Sequence, residues 1–239
     1  MDQCIVFESN GLKLSGTICL STVKDTKGGV LFLPGAGTLT KDVYLEWQKH
    51  LAQHGYHSFV FDFPGIGARE GELKNSSLAS RLANSEVALG MFLDKSGLSI
   101  DQITVCGRSM GGPLALTLAD THQLPKLILL YPAAYAAEAF DKPFTAEFTK
   151  VIRAEDSWHD SPDFDRAENY KGEIMIIYGS LDRVIPGGIQ ARYLEIARSK
   201  GVALVLDGFG HNEYLWENTD VATQKRAEVF VSVLDFLES

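Results

Sequence analysis

Ile103-Thr104-Val105-Cys106-Gly107-Arg108-Ser109-Met110-Gly111-Gly112-Pro113-Leu114 is the stretch on which the reading of this chain turns. Ile103–Cys106 is a short apolar run of the kind a buried strand shows. Gly112–Ala119, with proline in its first turn, reads as a helix. Between them stands a serine with glycine two residues away on each side, the arrangement of a nucleophile elbow. Chemistry accounts for the glycines. The turn is so tight that side chains at both flanking positions would collide. The serine is driven into a strained backbone region that lifts its hydroxyl clear of the sheet. The next N–H then lies at a helix N-terminus, where the dipole favours negative charge. A bare G-x-S-x-G arises by chance, and the strand before it and helix after it give it meaning.

The order of elements extends outward from this turn. Asn10-Gly11 joins two alternating segments, Cys4–Ser9 and Leu12–Ser21, as a hairpin. Apolar runs follow at Val30–Leu33, Ser58–Phe61, Ile103–Cys106, Leu127–Tyr131, Ile174–Tyr178 and Ala203–Leu206. They are nearly continuous rather than alternating, which predicts strands covered on both faces. Helical patterns separate them at Asp42–His54, Ser77–Lys95, Met110–Thr121, Gly187–Ser199 and Thr219–Leu237. The pattern predicts an α/β fold, a doubly wound, mostly parallel sheet of eight strands. One connection, 133–171, is too long for its place. It is rich in aromatics, shows helical spacing over Ala134–Phe140 and Phe144–Arg153, and reads as a small cap over the carboxyl edge of the sheet.

Two further residues share the setting of Ser109. Asp182 lies in the turn after the strand Ile174–Tyr178. His211 lies in the Gly-rich loop after the strand Ala203–Leu206. The carboxyl ends of parallel strands converge on one edge, so Ser109, Asp182 and His211 are expected to meet there. Serine is a weak nucleophile until a base takes its proton. An imidazole does so, and a carboxylate fixes its tautomer and stabilises the imidazolium. Asp207 and Glu213 are weaker candidates for the acid, being close to His211 in sequence.

Composition bounds the alternatives. With 239 residues, 45% hydrophobic and 22% charged, the chain can bury one full core. A net charge of −9 opposes nucleic-acid binding. No basic, apolar leader stands at Met1 and no apolar run is long enough for a bilayer, so no membrane association and a cytoplasmic location are expected. Cys4, Cys19 and Cys106 are expected to be reduced, buried small hydrophobes. His50 and His54 stand i,i+4 on one helix without a third ligand, so no metal is expected. Trp158-His159-Asp160 reads as a local polar cluster, and Arg108 as a member of a structural ion pair.

Over essentially its whole length the chain resembles the α/β-hydrolases, and among them single-domain serine esterases with a small cap. Leu33-Pro34-Gly35-Ala36-Gly37 is similar to the family's oxyanion segment after the third strand, with Pro34 where histidine is frequent. The resemblance implies an oxyanion hole made by the N–H of Met110 and of Ala36, or of the neighbouring Gly37. Asp62-Phe63-Pro64-Gly65-Ile66-Gly67-Ala68 is similar to the Gly-rich loop after the fourth strand and reads as a structural turn. The resemblance further implies one domain over 1–239, no cofactor, and a serine hydrolase cleaving small or medium carboxylic (acyl or aryl) esters through an acyl-enzyme. Tyr135, Phe140, Phe144, Phe148, Trp158 and Trp216 are the expected pocket walls. The same machinery also serves thioesterases, peptidases or amidases and acyltransferases, and a ligand-binding receptor on the scaffold is the alternative of another class.

Overall fold

The computed structural model describes residues 2–67, 71–211 and 219–239. The chain opens with a hairpin, β1 (Asp2–Ser9) and β2 (Leu12–Cys19), in which Ser9 pairs with Leu12. Asn10 and Gly11 both take positive φ, 52° and 74°, as a two-residue turn between twisted strands requires. The following elements are β3 (Gly28–Leu33), α1 (Leu45–Gln53), β4 (Tyr56–Phe61), α2 (Leu78–Ser96), β5 (Ile103–Arg108) and α3 (Gly111–Thr121). Then come β6 (Lys126–Leu130), α4 (Ala146–Ile152), α5 (Pro162–Asn169), β7 (Glu173–Gly179), α6 (Gly187–Lys200), β8 (Gly201–Leu206) and a C-terminal helix, Asp220–Glu238.

One eight-stranded sheet runs in the order β1-β2-β4-β3-β5-β6-β7-β8. The β1–β2 and β2–β4 pairs are antiparallel and the rest are parallel. From β3 the chain crosses to β4 on one side, and from β5 it crosses to β6 on the other. The reversal opens a crevice between the carboxyl ends of β3 and β5, the place where open α/β sheets hold ligands. The central strands are buried throughout, as their continuous apolar runs predict: all six residues of β3 and all six of β5. At the edge the expectation of two covered faces fails. Val202 and Val205 of β8 are 40% and 45% exposed, because no strand lies beyond them.

Local chemistry sets the helix ends. In α2, Ser77 and Ser80 form a reciprocal capping box, and Gly97 closes the helix in the left-handed region at φ 70°. Its buried stripe is Leu78, Arg81, Asn84, Ser85, Ala88, Leu89 and Phe92, and three of these are polar. The helix expected over Asp42–His54 divides into a 3-10 turn, Lys41–Tyr44, and then α1, because Thr40 caps the short turn.

The segment between β6 and β7 departs most from expectation. Ala134–Phe140 yields only a 3-10 turn at Ala137–Ala139. Its backbone bonds outward instead, the Phe140 carbonyl accepting from Ala79 N–H and Phe144 N–H donating to Ser76 O, so it is stitched to the start of α2. Pro143 also disfavours helical backbone at Lys142. The second expected helix shortens to Ala146–Ile152, and a third, α5, was not anticipated. Ser161 caps α5 and Pro162 fills its first turn, a start signal present in the sequence. Cys4 also departs from expectation: it is exposed, on the outer face of edge strand β1, whereas Cys19 and Cys106 are buried and burial pushes both thiols well up. No described helix is long and apolar enough to cross a membrane.

Candidate active site

The turn at the end of β5 has the backbone its sequence demands. Ser109 is held at φ 51°, where a non-glycine residue costs on the order of 1–3 kcal/mol. Neighbouring strands secure it: Ser109 N–H donates to Leu130 O at 2.8 Å, and Ser109 O accepts from Gly112 N–H at 2.9 Å and Ala133 N–H at 3.1 Å. A Cβ on Gly107 would come within 2.4 Å of Gly111 O, and one on Gly111 within 2.2 Å of Leu33 O. Both glycines are therefore steric requirements of the turn. Across the crevice Gly35 lies so close that a Cβ there would stand 3.1 Å from the Ser109 Cβ. This contact brings the loop Pro34–Gly37, with Ala36, beside the serine. Met110, directly after it, is the N-cap residue of α3.

Ser109, His211 and Asp182 come together as expected. His211 Nε2 lies 3.1 Å from Ser109 Oγ, and His211 Nδ1 lies 2.8 Å from Asp182 Oδ2. A carboxylate oxygen only accepts, so the Nδ1 proton points to Asp182 and Nε2 is left to accept from the serine. Asp182 Oδ1 is engaged by Val184 N–H at 2.8 Å and Ile185 N–H at 3.1 Å. Burial pushes the Asp182 carboxyl up. The hydrogen bond and charge of His211, with the two backbone donors, outweigh it and bring the pKa below the usual carboxylate value.

The loops carrying Asp182 and His211 are joined to each other. Ser180 N–H donates to Leu206 O and Leu181 N–H to Phe209 O, each at 2.9 Å. A Cβ on Gly179 would stand 2.2 Å from Phe209 O. Asp207, the alternative acid, accepts instead from Ser180 Oγ at 3.2 Å. Glu213 and Trp216 lie outside the described residues.

Tyr131 is the neighbour that the sequence reading missed. It too is held at φ 51°, its N–H donates to Ile177 O at 2.8 Å, and its ring lies 5.3 Å from that of His211. Its place before Pro132 signals restricted backbone, and nothing in the sequence signals a positive φ.

The aromatic residues of 133–171 do not share one role. Phe148 is buried, against Tyr135 at 5.8 Å and edge-on to Phe144 at 4.8 Å. Trp158 packs on Phe164, and its indole covers Gly188, where a Cβ would meet it at 2.3 Å. Tyr135 and Phe140 line a cavity of about 270 Å³ with Leu78, Pro113 and Arg166. Elsewhere, His50 and His54 pack on Phe230 at 4.8 and 5.7 Å, and His159 is exposed near Asp156. Arg108 is buried beside Tyr44 and Gly35.

Comparison with known proteins agrees with this architecture. Two uncharacterized proteins from two strains of Mycobacterium tuberculosis are 25% identical over 214 residues, covering 87% of this chain and 72% of theirs. Est1E from Butyrivibrio proteoclasticus, solved with ferulic acid bound, superposes with a TM-score of 0.74 at 16% identity, over 98% of this chain and 100% of that one. A thermophilic esterase from Thermogutta terrifontis does so with a TM-score of 0.72 at 17% identity, over 98% and 91%. The model of the alpha/beta hydrolase fold matches residues 29–162, which run from β3 through the serine turn to the start of α5. With more than half the chain in that match and the sheet order to go with it, the chain belongs to the alpha/beta hydrolase fold family.

Proposed function

We propose that this chain is a serine hydrolase that cleaves carboxylic esters through an acyl-enzyme. The observation that carries the reading is the continuous relay from Ser109 Oγ through His211 to Asp182, at 3.1 and 2.8 Å. Ser109 Oγ attacks the ester carbonyl carbon as its proton passes to His211 Nε2. Asp182 steadies the resulting imidazolium through Nδ1–H. Charge on the carbonyl oxygen is taken up by the N–H of Met110, at the start of α3, and of Ala36, in the loop beside Ser109. The tetrahedral adduct then collapses, the C–O bond to the alcohol breaks, and His211 returns the proton to the departing oxygen. Water attacks the acyl-serine with His211 again as base, releasing the acid and restoring the serine.

Residues 133–171 serve in this reading as a cap within a single domain. Tyr135, Phe140 and Phe144 face the substrate side, while Phe148 and Trp158 seat the cap on itself and on α6. That esterases stand among the structural neighbours supports the ester reading. Labelling with a fluorophosphonate and turnover of short 4-nitrophenyl esters test it together. Wild type is expected to label and turn over. Ser109→Ala is expected to remain folded, fail to label, and lose activity by about 10⁶. Activity of Ser109→Ala within tenfold of wild type overturns the assignment.

A further inference from the structure

Arg81 sits in the middle of the buried stripe of α2 and is fully buried. An ionised group in such a place is costly unless it is paired. Among the described residues no carboxylate pairs with it, and its Nε and Nη2 have no acceptor. The faces of the guanidinium are covered instead. Phe63 lies 4.7 Å from its carbon on ring-centroid measure and Phe144 lies 4.9 Å away. Nη1 points at the Sδ of Met110, 3.5 Å off. Burial lowers its pKa to about 10, opposed by the nearby Tyr135, and the group remains a cation at neutral pH.

The two donors without acceptors are a specific pair. Nε and Nη2 share one edge of the guanidinium and form the side-on fork that a carboxylate bridges with both oxygens. The rings of Phe63 and Phe144 lie against the guanidinium, and the Nε/Nη2 edge is buried with it. The cation is one methionine side chain away from the N–H that receives the oxyanion in the proposed mechanism. Topology gives its side of the site. Phe63 follows β4 and His211 follows β8, and these strands lie on opposite sides of β5 in the sheet. The leaving alcohol must face His211, which returns its proton. An acyl chain that runs the other way from Ser109 passes Met110, whose Sδ lies against Arg81.

We propose that the acyl chain of the substrate ends in a carboxylate, so that the enzyme acts on half-esters of short dicarboxylic acids, with the Nε/Nη2 fork of Arg81 receiving the free carboxylate. The proposal rests on the ester-hydrolase reading for its reaction and on the buried cation for its specificity. A chain of charge −9 does not draw in an anion from a distance, so recognition here falls to this one short-range contact.

The test compares monoethyl glutarate and monoethyl adipate with ethyl pentanoate and ethyl hexanoate, which replace the free carboxylate by a methyl group. Hydrolysis is followed by pH-stat. Wild type is expected to favour the half-esters by at least about tenfold in kcat/KM. Arg81→Met is expected to erase or invert that ratio, and Arg81→Lys, which keeps the charge without the fork, to fall between. Equal rates on the two ester types by wild type, or an unchanged ratio in Arg81→Met, overturn the proposal. Calorimetry on Ser109→Ala keeps the question open to decision if Arg81→Met does not fold. That protein should bind monoethyl glutarate at least tenfold more tightly than ethyl pentanoate, and equal binding overturns the proposal. Binding of the half-ester by Ser109→Ala, with no turnover or labelling by wild type, upholds the anion site and defeats the hydrolase reading instead.

Discussion

The loops after β5, β7 and β8 and the long segment between β6 and β7 border the same edge of the sheet, yet they are held by different physics. In the first group, backbone hydrogen bonds and steric limits hold the turns that carry Ser109 and Asp182. Ser109 is bonded at both its N–H and its carbonyl, Asp182 Oδ1 accepts two backbone donors, and Gly179 admits no side chain. In the second, two backbone bonds tie Phe140 and Phe144 to the start of α2, and three short helical turns are otherwise seated by ring contacts among Tyr135, Phe144, Phe148, Trp158 and Phe164. Directional bonds set positions finely enough for proton transfer. Ring packing is less directional and tolerates substitution, which suits the substrate-selecting role proposed for this segment.

The contrast breaks most severely at Asp182. Asp182→Asn removes the charge and favours the wrong imidazole tautomer while keeping the shape, and kcat is expected to fall by about 10⁴. Steady-state rates beside a thermal melt check that the loss is chemical. A silent substitution would mean that the acid lies elsewhere.

Within the proposed cap, two phenylalanines should separate packing from selection. Phe148→Ala empties a buried site and is expected to cost about 3 kcal/mol of stability, read by denaturant unfolding. Phe140→Ala, at the wall of the 270 Å³ cavity, is expected to cost less and to change the ratio of kcat/KM between long and short esters by a few-fold. If Phe148→Ala shifts selectivity and Phe140→Ala does not, their roles are exchanged.

The last effect concerns pH. Asp163, in α5, is buried, and burial pushes its pKa up to about 6 against the donors Ser161 Oγ–H, Tyr135 N–H and Arg166. A carboxyl raised in the folded state binds its proton there more tightly than in the unfolded chain. Stability from this group is thus largest at low pH and declines as pH rises from about 4 to about 6. Asp163→Asn should remove that decline, at most about 3 kcal/mol, in urea unfolding curves taken across the window. Parallel pH profiles for the two proteins would show that Asp163 does not titrate there.

What the sequence disclosed follows the same division. Ser109, Asp182 and His211 each stand just after an apolar strand, so chain order alone brought them to one edge. Asn10-Gly11 likewise announced its hairpin. The 133–171 segment was legible as an insertion, but its turns were not, because Phe140 and Phe144 give their backbone bonds to α2. Spacing within a segment carries no record of such a partner. Cys4 misled because an edge strand has one face open. Arg81 was legible and overlooked: a charged residue in step with Leu78, Ser85, Ala88 and Phe92 on the inward stripe of α2.

The paired left-handed backbone at Ser109 and Tyr131 has a consequence for how the molecule assembles. Ser109 is bonded to Leu130 and Ala133, and Tyr131 to Ile177, so each bend is braced by the next strand along the sheet. Neither can form stably in an isolated hairpin or helix, since the brace comes from a parallel neighbour reached only through a long crossover. The imidazole that completes the relay lies 102 residues beyond the serine. Contacts so distant along the chain are slow to close. During refolding, helical signal should therefore return well before reactivity toward a serine-directed probe, and the reactive serine becomes a clock for the last stage of sheet closure.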